Sequence, residues 1–339
     1  VKVLRVLVPP AGKPEAGIAP ELVHAWPEAE RLNPSRWIRR NLQEFDPDVV
    51  FVPTANPFRF ADKPTVVMVR NMEPLLCPLR GNPWPLKLRN LARREVARWA
   101  CRRADRIIAV SAFVRRFLAE QWGVAEDRMS VVPFGVIQDI PADALRRPAG
   151  LDEVEEGKWL FAAGSLRPGR GLEDVLEALQ RLYSAGTALT LAIAGEADPH
   201  TRAFAARLKA RAEAAGLGPR LRWLGTLSAA EMGWCFRHAG AFVMTSRMEA
   251  CPNTVLEAMA HGALSISTDQ EPMPEFFGDT ATYYPAQDSG ALAECIETTL
   301  ALSLATREQK RAAARERAKS FTWERAASQT VAELQRVLR

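Results

Sequence analysis

Residues 241–257 read Ala241-Phe242-Val243-Met244-Thr245-Ser246-Arg247-Met248-Glu249-Ala250-Cys251-Pro252-Asn253-Thr254-Val255-Leu256-Glu257. The unbroken apolar run from Ala241 to Thr245 predicts a strand covered on both faces, as in a parallel sheet sandwiched by helices. A short loop with Glu249 follows, and the spacing predicts a helix over Thr254 to His261. In such a unit the first helical N–H groups and the positive dipole end face the strand's carboxyl edge. That edge is where open α/β sheets take anionic ligands. Thr254-Val255-Leu256-Glu257 also has the form of a capping box, which accounts for Glu257 in the first turn as a structural residue. Glu249 has no such duty, so capping and binding both stay open for this cluster.

The same rhythm extends in both directions. Strands are expected at Trp159–Ala163, Leu189–Ala194, Leu221–Leu224 and Leu264–Thr268. Helices fill the gaps at Leu172–Ala185, Thr201–Ala215 and Ser228–His238, the last opened by a Ser228…Glu231 capping box. In the first half, Asp48–Pro53, Pro64–Val69, Arg106–Ser111 and Met129–Phe134 read as strands and Trp84–Cys101 as a helix. Alternating strands and helices imply α/β layers and parallel sheets. Asp139 to Lys158 has neither period and reads as a linker. The expected organisation is an N-terminal domain over 1–145 and a C-terminal domain over 151–320. A terminal helix over 321–339 follows.

Composition narrows the function classes. Of 339 residues, 47 % are hydrophobic and 25 % charged, ordinary values for a globular chain. A net charge of +5 is too mild to argue for nucleic acid. Five widely spaced cysteines with no C-x-x-C, and four scattered histidines, argue against a disulfide framework or a zinc site and fit a reducing cytoplasm. Val1 to Val8 reads as a strand. The Pro9-Pro10-Ala11-Gly12 that follows is not a phosphate loop. A βα unit upstream of Val1, or Asn56-Pro57-Phe58 in its place, is left open.

Gly164-Ser165-Leu166-Arg167-Pro168-Gly169-Arg170-Gly171 is the second cluster, again leaving a strand for a helix. Glycines there admit close backbone approach to phosphate, and guanidinium groups can neutralise a diphosphate. It lacks the endings of a P-loop or a dinucleotide fingerprint, and a turn with solvated arginines is the plain alternative.

Taken with Ala194-Gly195-Glu196, Trp223-Leu224-Gly225, Ser246-x-x-Glu249-x7-Glu257, Gly262, Glu275 and Phe321-Thr322-Trp323, these clusters resemble the family 4 retaining glycosyltransferases. The resemblance implies two Rossmann-like, doubly wound domains facing each other across a cleft, the GT-B arrangement. It also implies transfer of a sugar from a nucleoside diphosphate donor to a hydroxyl acceptor. By that resemblance Glu249 contacts the donor sugar and Arg170 holds the diphosphate and leaving group. Ala250, Cys251, Pro252, Asn253, Thr254 and Val255 meet sugar and phosphates, Glu257 the ribose, and Gly195 and Leu224 the base. Gly164 and Ser165 open the loop; Ser165 stands where the family commonly has arginine, with Arg167 as a substitute. Arg70 and Asn71 stand where many members place an acceptor-facing histidine.

No metal or other cofactor is expected, although Asp46-Pro47-Asp48 fits a cation-binding D-x-D that ordinary turn chemistry also explains. The helix at 86–103 places Leu88, Leu91, Ala92, Val96 and Trp99 on one face amid lysine and arginine. The favoured reading is a core-packed helix with a solvated cationic face; the other is peripheral contact with an inner-membrane surface. A nucleotide-sugar epimerase and a non-catalytic binding protein remain as rivals.

Overall fold

The computed structural model describes residues 6–8, 23–25, 27, 35–56, 62–76, 82–138 and 141–338. Of the expected opening strand, Val6–Val8 is described: it forms β1 (Val6–Val8), which pairs in parallel with β2 (Val23–Ala25), apart from the larger sheets. Pro9 to Gly12, Pro57 and Phe58 lie outside the described residues.

Helix α1 (Ser35–Phe45) leads into the parallel sheet of the N-terminal half. Its strands are β3 (Val50–Val52), β4 (Thr65–Val69), β5 (Arg106–Ala109) and β6 (Met129–Val131), with α2 (Trp84–Arg103) between β4 and β5 and α3 (Ala112–Trp122) between β5 and β6. They lie side by side in chain order, all parallel. Burial of every residue of β4 fits a strand with cover on both faces. Helix α3 was not foreseen; Ser111 caps it by accepting from the Val114 N–H, and Gly123 ends it in the left-handed conformation.

The C-terminal half begins with β7 (Trp159–Ala163), α4 (Leu172–Ser184), β8 (Thr190–Ala194), α5 (Arg202–Ala214), β9 (Leu221–Gly225) and α6 (Ala229–His238). It continues with β10 (Ala241–Met244), α7 (Asn253–Ala260), β11 (Ser265–Thr268), α8 (Met273–Phe277), β12 (Ala281–Tyr284), α9 (Ser289–Leu300), α10 (Leu304–Ala318) and α11 (Trp323–Arg336). Six parallel strands run β9-β8-β7-β10-β11-β12. Numbered within the half, that is the doubly wound order, which reverses between β7 and β10. The fully buried rings of Trp159, Phe161, Phe236 and Phe242 lock α6 onto this centre, with Trp159 stacked on Trp234 at 6.0 Å. The Ser228–Glu231 capping box at the start of α6 is present in both directions.

Contacts tie the halves together. The Glu275 carboxylate accepts from the Ala112 and Phe113 N–H groups at 2.7 and 3.0 Å, seating a negative charge on the N-terminus of α3. Arg116 pairs with Glu271 in the same seam. Arg106 reaches the buried Glu333 of α11 at 2.6 Å, and the Val136 N–H bonds the Phe321 carbonyl at 3.1 Å.

One sequence expectation is overturned. Helix α2 buries Leu86, Asn90, Ala97, Ala100 and Cys101, while Leu88, Leu91, Val96 and Trp99 face outward. Small residues on the buried side let α2 lie close to the sheet, so its larger apolar side chains stay in solvent.

Candidate functional site

The loops after β7 and β10 leave neighbouring strands at the reversal point of the sheet, where they diverge and open a crevice. The chain binds the two loops together. Thr245 Oγ1 donates to the Arg170 carbonyl at 2.6 Å, and the Arg247 N–H donates to the Gly169 carbonyl at 2.9 Å. This closeness is why Gly171 sits where it does: its φ is +61°, and a Cβ there would fall 2.2 Å from the Thr245 carbonyl oxygen. Gly195 likewise packs on Gly164; its φ is +125° and an added Cβ would come within 2.1 Å of the Gly164 carbonyl oxygen.

The seating of Arg170 directs its guanidinium across the crevice. Nη1 pairs with the Glu249 carboxylate and donates to Ser246 Oγ at 3.2 Å. Arg170 Nε is buried without a partner, packed against Gly164, where an added Cβ would lie 2.8 Å from it. Arg247 points the other way, to Asp174 at 2.8 Å; Asp174 also accepts from Tyr284 at 3.3 Å and the Gln287 N–H at 2.9 Å. Arg247 is thus tied to α4, whereas Arg170 is tied to Glu249.

A cavity of about 330 Å³ lies between the halves, lined by Arg70, Asn71, Met72 and Phe134 on one side and Arg167, Met248, Glu249, Ala250 and Cys251 on the other. The acceptor-side pair expected from sequence thus shares one cavity with Glu249. Arg167 reaches over it to pair with Glu73, whose own N–H donates to Asn71 Oδ1 at 3.0 Å. Cys251 is buried and accepts from the Phe134 N–H at 3.4 Å; burial pushes its thiol up to about 12, so it lines the cavity as an inert group.

Other expected residues lie elsewhere. Gly164, Gly195 and Gly225 form an adjoining row, with the Gly164 N–H on the Ala194 carbonyl and the Gly195 N–H on that of Gly225. Leu224 beside them is half-buried and does not line the cavity. Ser165 is half-buried in the same loop. Pro252, not Thr254, is the N-cap of α7, and Glu257 falls in the second turn, so the capping-box reading does not hold. Thr254 Oγ1 instead lies 4.0 Å from the Met244 sulfur. Val255 is fully buried with its N–H on the Pro252 carbonyl at 3.0 Å, which leaves the earlier N–H groups of Asn253 and Thr254 at the open helix end. Burial raises the Glu257 carboxyl above its ordinary range.

Asp46 is a turn residue. It follows α1 at φ +46° and pairs with Lys63 at 2.8 Å, at the amino edge of β3 and so away from the carboxyl edges that carry the crevice. Among the described residues no three His, Cys, Asp or Glu side chains gather as a metal-binding group. Sequence reading missed Glu73, Phe134 and Met248. Glu73 lay three residues beyond Arg70, but only its pairing with Arg167 marks it.

Two parallel-sheet α/β domains, with the cavity where the C-terminal sheet reverses, define the GT-B class. Solved structures share the fold: sucrose-phosphate synthase from Thermosynechococcus elongatus has a TM-score of 0.72 at 18 % identity, covering 93 % of this chain and 81 % of that one. Anabaena HepE in complex with UDP and glucose has a TM-score of 0.69 at 18 % identity, covering 92 % and 86 %. The chain belongs to the group 1 glycosyl transferases, whose model matches residues 146–321, with residues 5–139 matching Glycosyltransferase Family 4. The lipopolysaccharide core biosynthesis mannosyltransferase LpcC of Rhizobium leguminosarum bv. viciae is 29 % identical over 232 residues, 67 % of this chain. The chain spans 64 % of that relative's length.

Proposed function

We propose that this chain transfers a glycosyl group from a nucleoside diphosphate sugar to a hydroxyl acceptor, with retained anomeric configuration and no metal ion. The observation that carries the reading is the Arg170–Glu249 pair at the sheet's reversal point, whose carboxylate lines a cavity shared with Arg70 and Asn71. The UDP and glucose in the HepE complex support a nucleotide sugar as donor.

In this reading the diphosphate lies at the open end of α7, against the Asn253 and Thr254 N–H groups, with Arg170 exchanging Glu249 for phosphate oxygen. Glu249, released, takes hydroxyls of the donor sugar and faces the positive charge that grows at its anomeric carbon. The bond from that carbon to the diphosphate breaks, and the electron pair leaves with the phosphate oxygen. The acceptor oxygen bonds to the carbon on the same face, and its proton passes to the departing diphosphate. Arg170 stabilises the charge on that leaving group, the kind of preorganised electrostatic help that dominates such steps. Glu257 takes the ribose hydroxyls.

The test is to incubate the chain with UDP-, GDP- and ADP-sugars and a panel of glycan and lipid-linked acceptors, in EDTA, and to identify products by mass spectrometry and anomeric NMR couplings. A retained-configuration glycoside is expected. Epimerised donor without acceptor would assign an isomerase. Nucleotide binding with neither product would assign a binding protein.

A further inference from the structure

Helix α2 carries seven cations (Lys87, Arg89, Arg93, Arg94, Arg98, Arg102, Arg103) and a single carboxylate, Glu95. Its outward face holds Trp84 at 69 % exposure, Leu88 at 50 %, Trp99 at 44 % and Leu91 at 41 %. Trp84, Leu88 and Leu91 recur at four- and three-residue steps and Trp99 follows two turns on, with Glu95 between, so they form one strip along the helix. The strip lies opposite Leu86, Asn90, Ala97 and Cys101, which follow the same steps on the buried side. Lys87, Arg94 and Arg98 run along one side of the strip and Arg89 and Arg103 along the other, with Arg102 closing its C-terminal end. The carboxylate within it is matched by Arg98 at 4.0 Å. The Arg103 guanidinium stacks over the Trp99 ring at 4.4 Å, its charge carried at the strip's edge.

We propose that the outward face of α2 docks on an anionic lipid bilayer. An apolar strip between two cationic borders is the form of a helix lying in a membrane interface, with aromatic and leucine side chains among the acyl chains and the basic groups at phosphate level. A nucleic acid would use the cations but leave Trp84, Leu88 and Leu91 in water. The placement is also functional. Helix α2 leaves β4 and returns to the parallel β5, so its Trp84 end lies at the carboxyl edge that carries Arg70 and Asn71. Arg89, near that end, touches His200 of the loop after β8 at 2.9 Å, beside the rim of the crevice. A bilayer held by α2 therefore lies next to the mouth of the cavity and presents membrane-borne hydroxyls to it.

Co-sedimentation of the full chain with vesicles tests this without reading activity. Binding is expected to vesicles of phosphatidylcholine plus one third phosphatidylglycerol, weakened by salt, and not to pure phosphatidylcholine. Arg102→Glu/Arg103→Glu and Trp84→Ser/Trp99→Ser are each expected to lower the partition coefficient by at least about tenfold, since each interfacial cation contributes on the order of fivefold. Arg202→Glu/Arg207→Glu on α5 is expected to bind as the native chain does. All are exposed positions, and circular dichroism checks that the helices persist. No binding to anionic vesicles, equal binding to neutral ones, or an α5 variant as impaired as the α2 variants would overturn the proposal. So would a native chain that self-associates through this face, seen as a Trp84→Ser/Trp99→Ser variant of smaller size on gel filtration with unchanged vesicle binding.

Discussion

The two sides of the cavity are built differently. On the C-terminal side, Arg170, Ser246, Glu249 and Asn253 all sit within a short reach of the carboxyl ends of β7 and β10, held by loop-to-loop hydrogen bonds at 2.6 and 2.9 Å. On the N-terminal side, Arg70, Asn71 and Glu73 lie in one segment after β4, and Glu73 is fixed by Arg167 from the opposite domain. A rigid donor side facing a side held partly by its partner is an arrangement in which the leaving-group chemistry is constant and the acceptor can vary.

The sharpest way to break this comparison is to cut one residue from each side. Arg170→Ala and Glu249→Ala are each expected to lower kcat by roughly a hundredfold, about 3 kcal/mol of transition-state stabilisation. Arg70→Ala and Asn71→Ala are expected to act mainly on the acceptor KM, by about tenfold. Equal losses of kcat on both sides would contradict the division. Because removing one partner of the Arg170–Glu249 pair strands the other, the double variant is expected to recover stability but not turnover.

That division follows what was legible in the sequence. Strand, loop and helix of the donor side are contiguous, so Gly164…Gly171 and Glu249…Glu257 showed both their spacing and their place at a sheet edge. The reversal between β7 and β10 was not visible, because strand order depends on pairing between distant segments. Glu73 and Phe134 reach the cavity through tertiary contacts, and nothing local marks them. Helix α2 misled for a different reason. Its periodicity correctly grouped Leu88, Leu91 and Trp99 on one face, but periodicity cannot say whether such a face meets a core or solvent. Only the small residues Ala97, Ala100 and Cys101 opposite reveal which side packs.

Acid should loosen the donor side in particular. Burial lowers His261 to about 4, with the Arg237 guanidinium beside it adding to the shift. A neutral buried imidazole contributes stability that is complete above its ordinary value of 6.5 and fades as pH falls toward 4. Urea unfolding is expected to show a loss of about 2 kcal/mol between neutral pH and pH ~5, reduced in His261→Gln. An unchanged pH dependence in that variant would remove the role.

Glu257 gives a smaller, split effect. Its raised carboxyl means the folded state favours the neutral form, so ionisation above about 4.5 costs stability. Glu257→Gln is therefore expected to keep or slightly raise Tm at neutral pH, a difference that vanishes in acid, while nucleotide affinity drops about tenfold. A fall in Tm with unchanged affinity would return Glu257 to a structural role. Asp46→Ala is expected to have the smallest effect, leaving activity unchanged and removing only the exposed Lys63 contact.

The account rests on a diphosphate held by Arg170 and the open end of α7. Calorimetric titration of UDP, GDP and ADP into the EDTA-dialysed chain, with and without added magnesium, addresses it most directly. The prediction is that one nucleotide binds without metal, gains nothing from magnesium, and loses at least about tenfold in affinity in Arg170→Ala. Binding that appears only with magnesium, or that Arg170→Ala leaves intact, would contradict it.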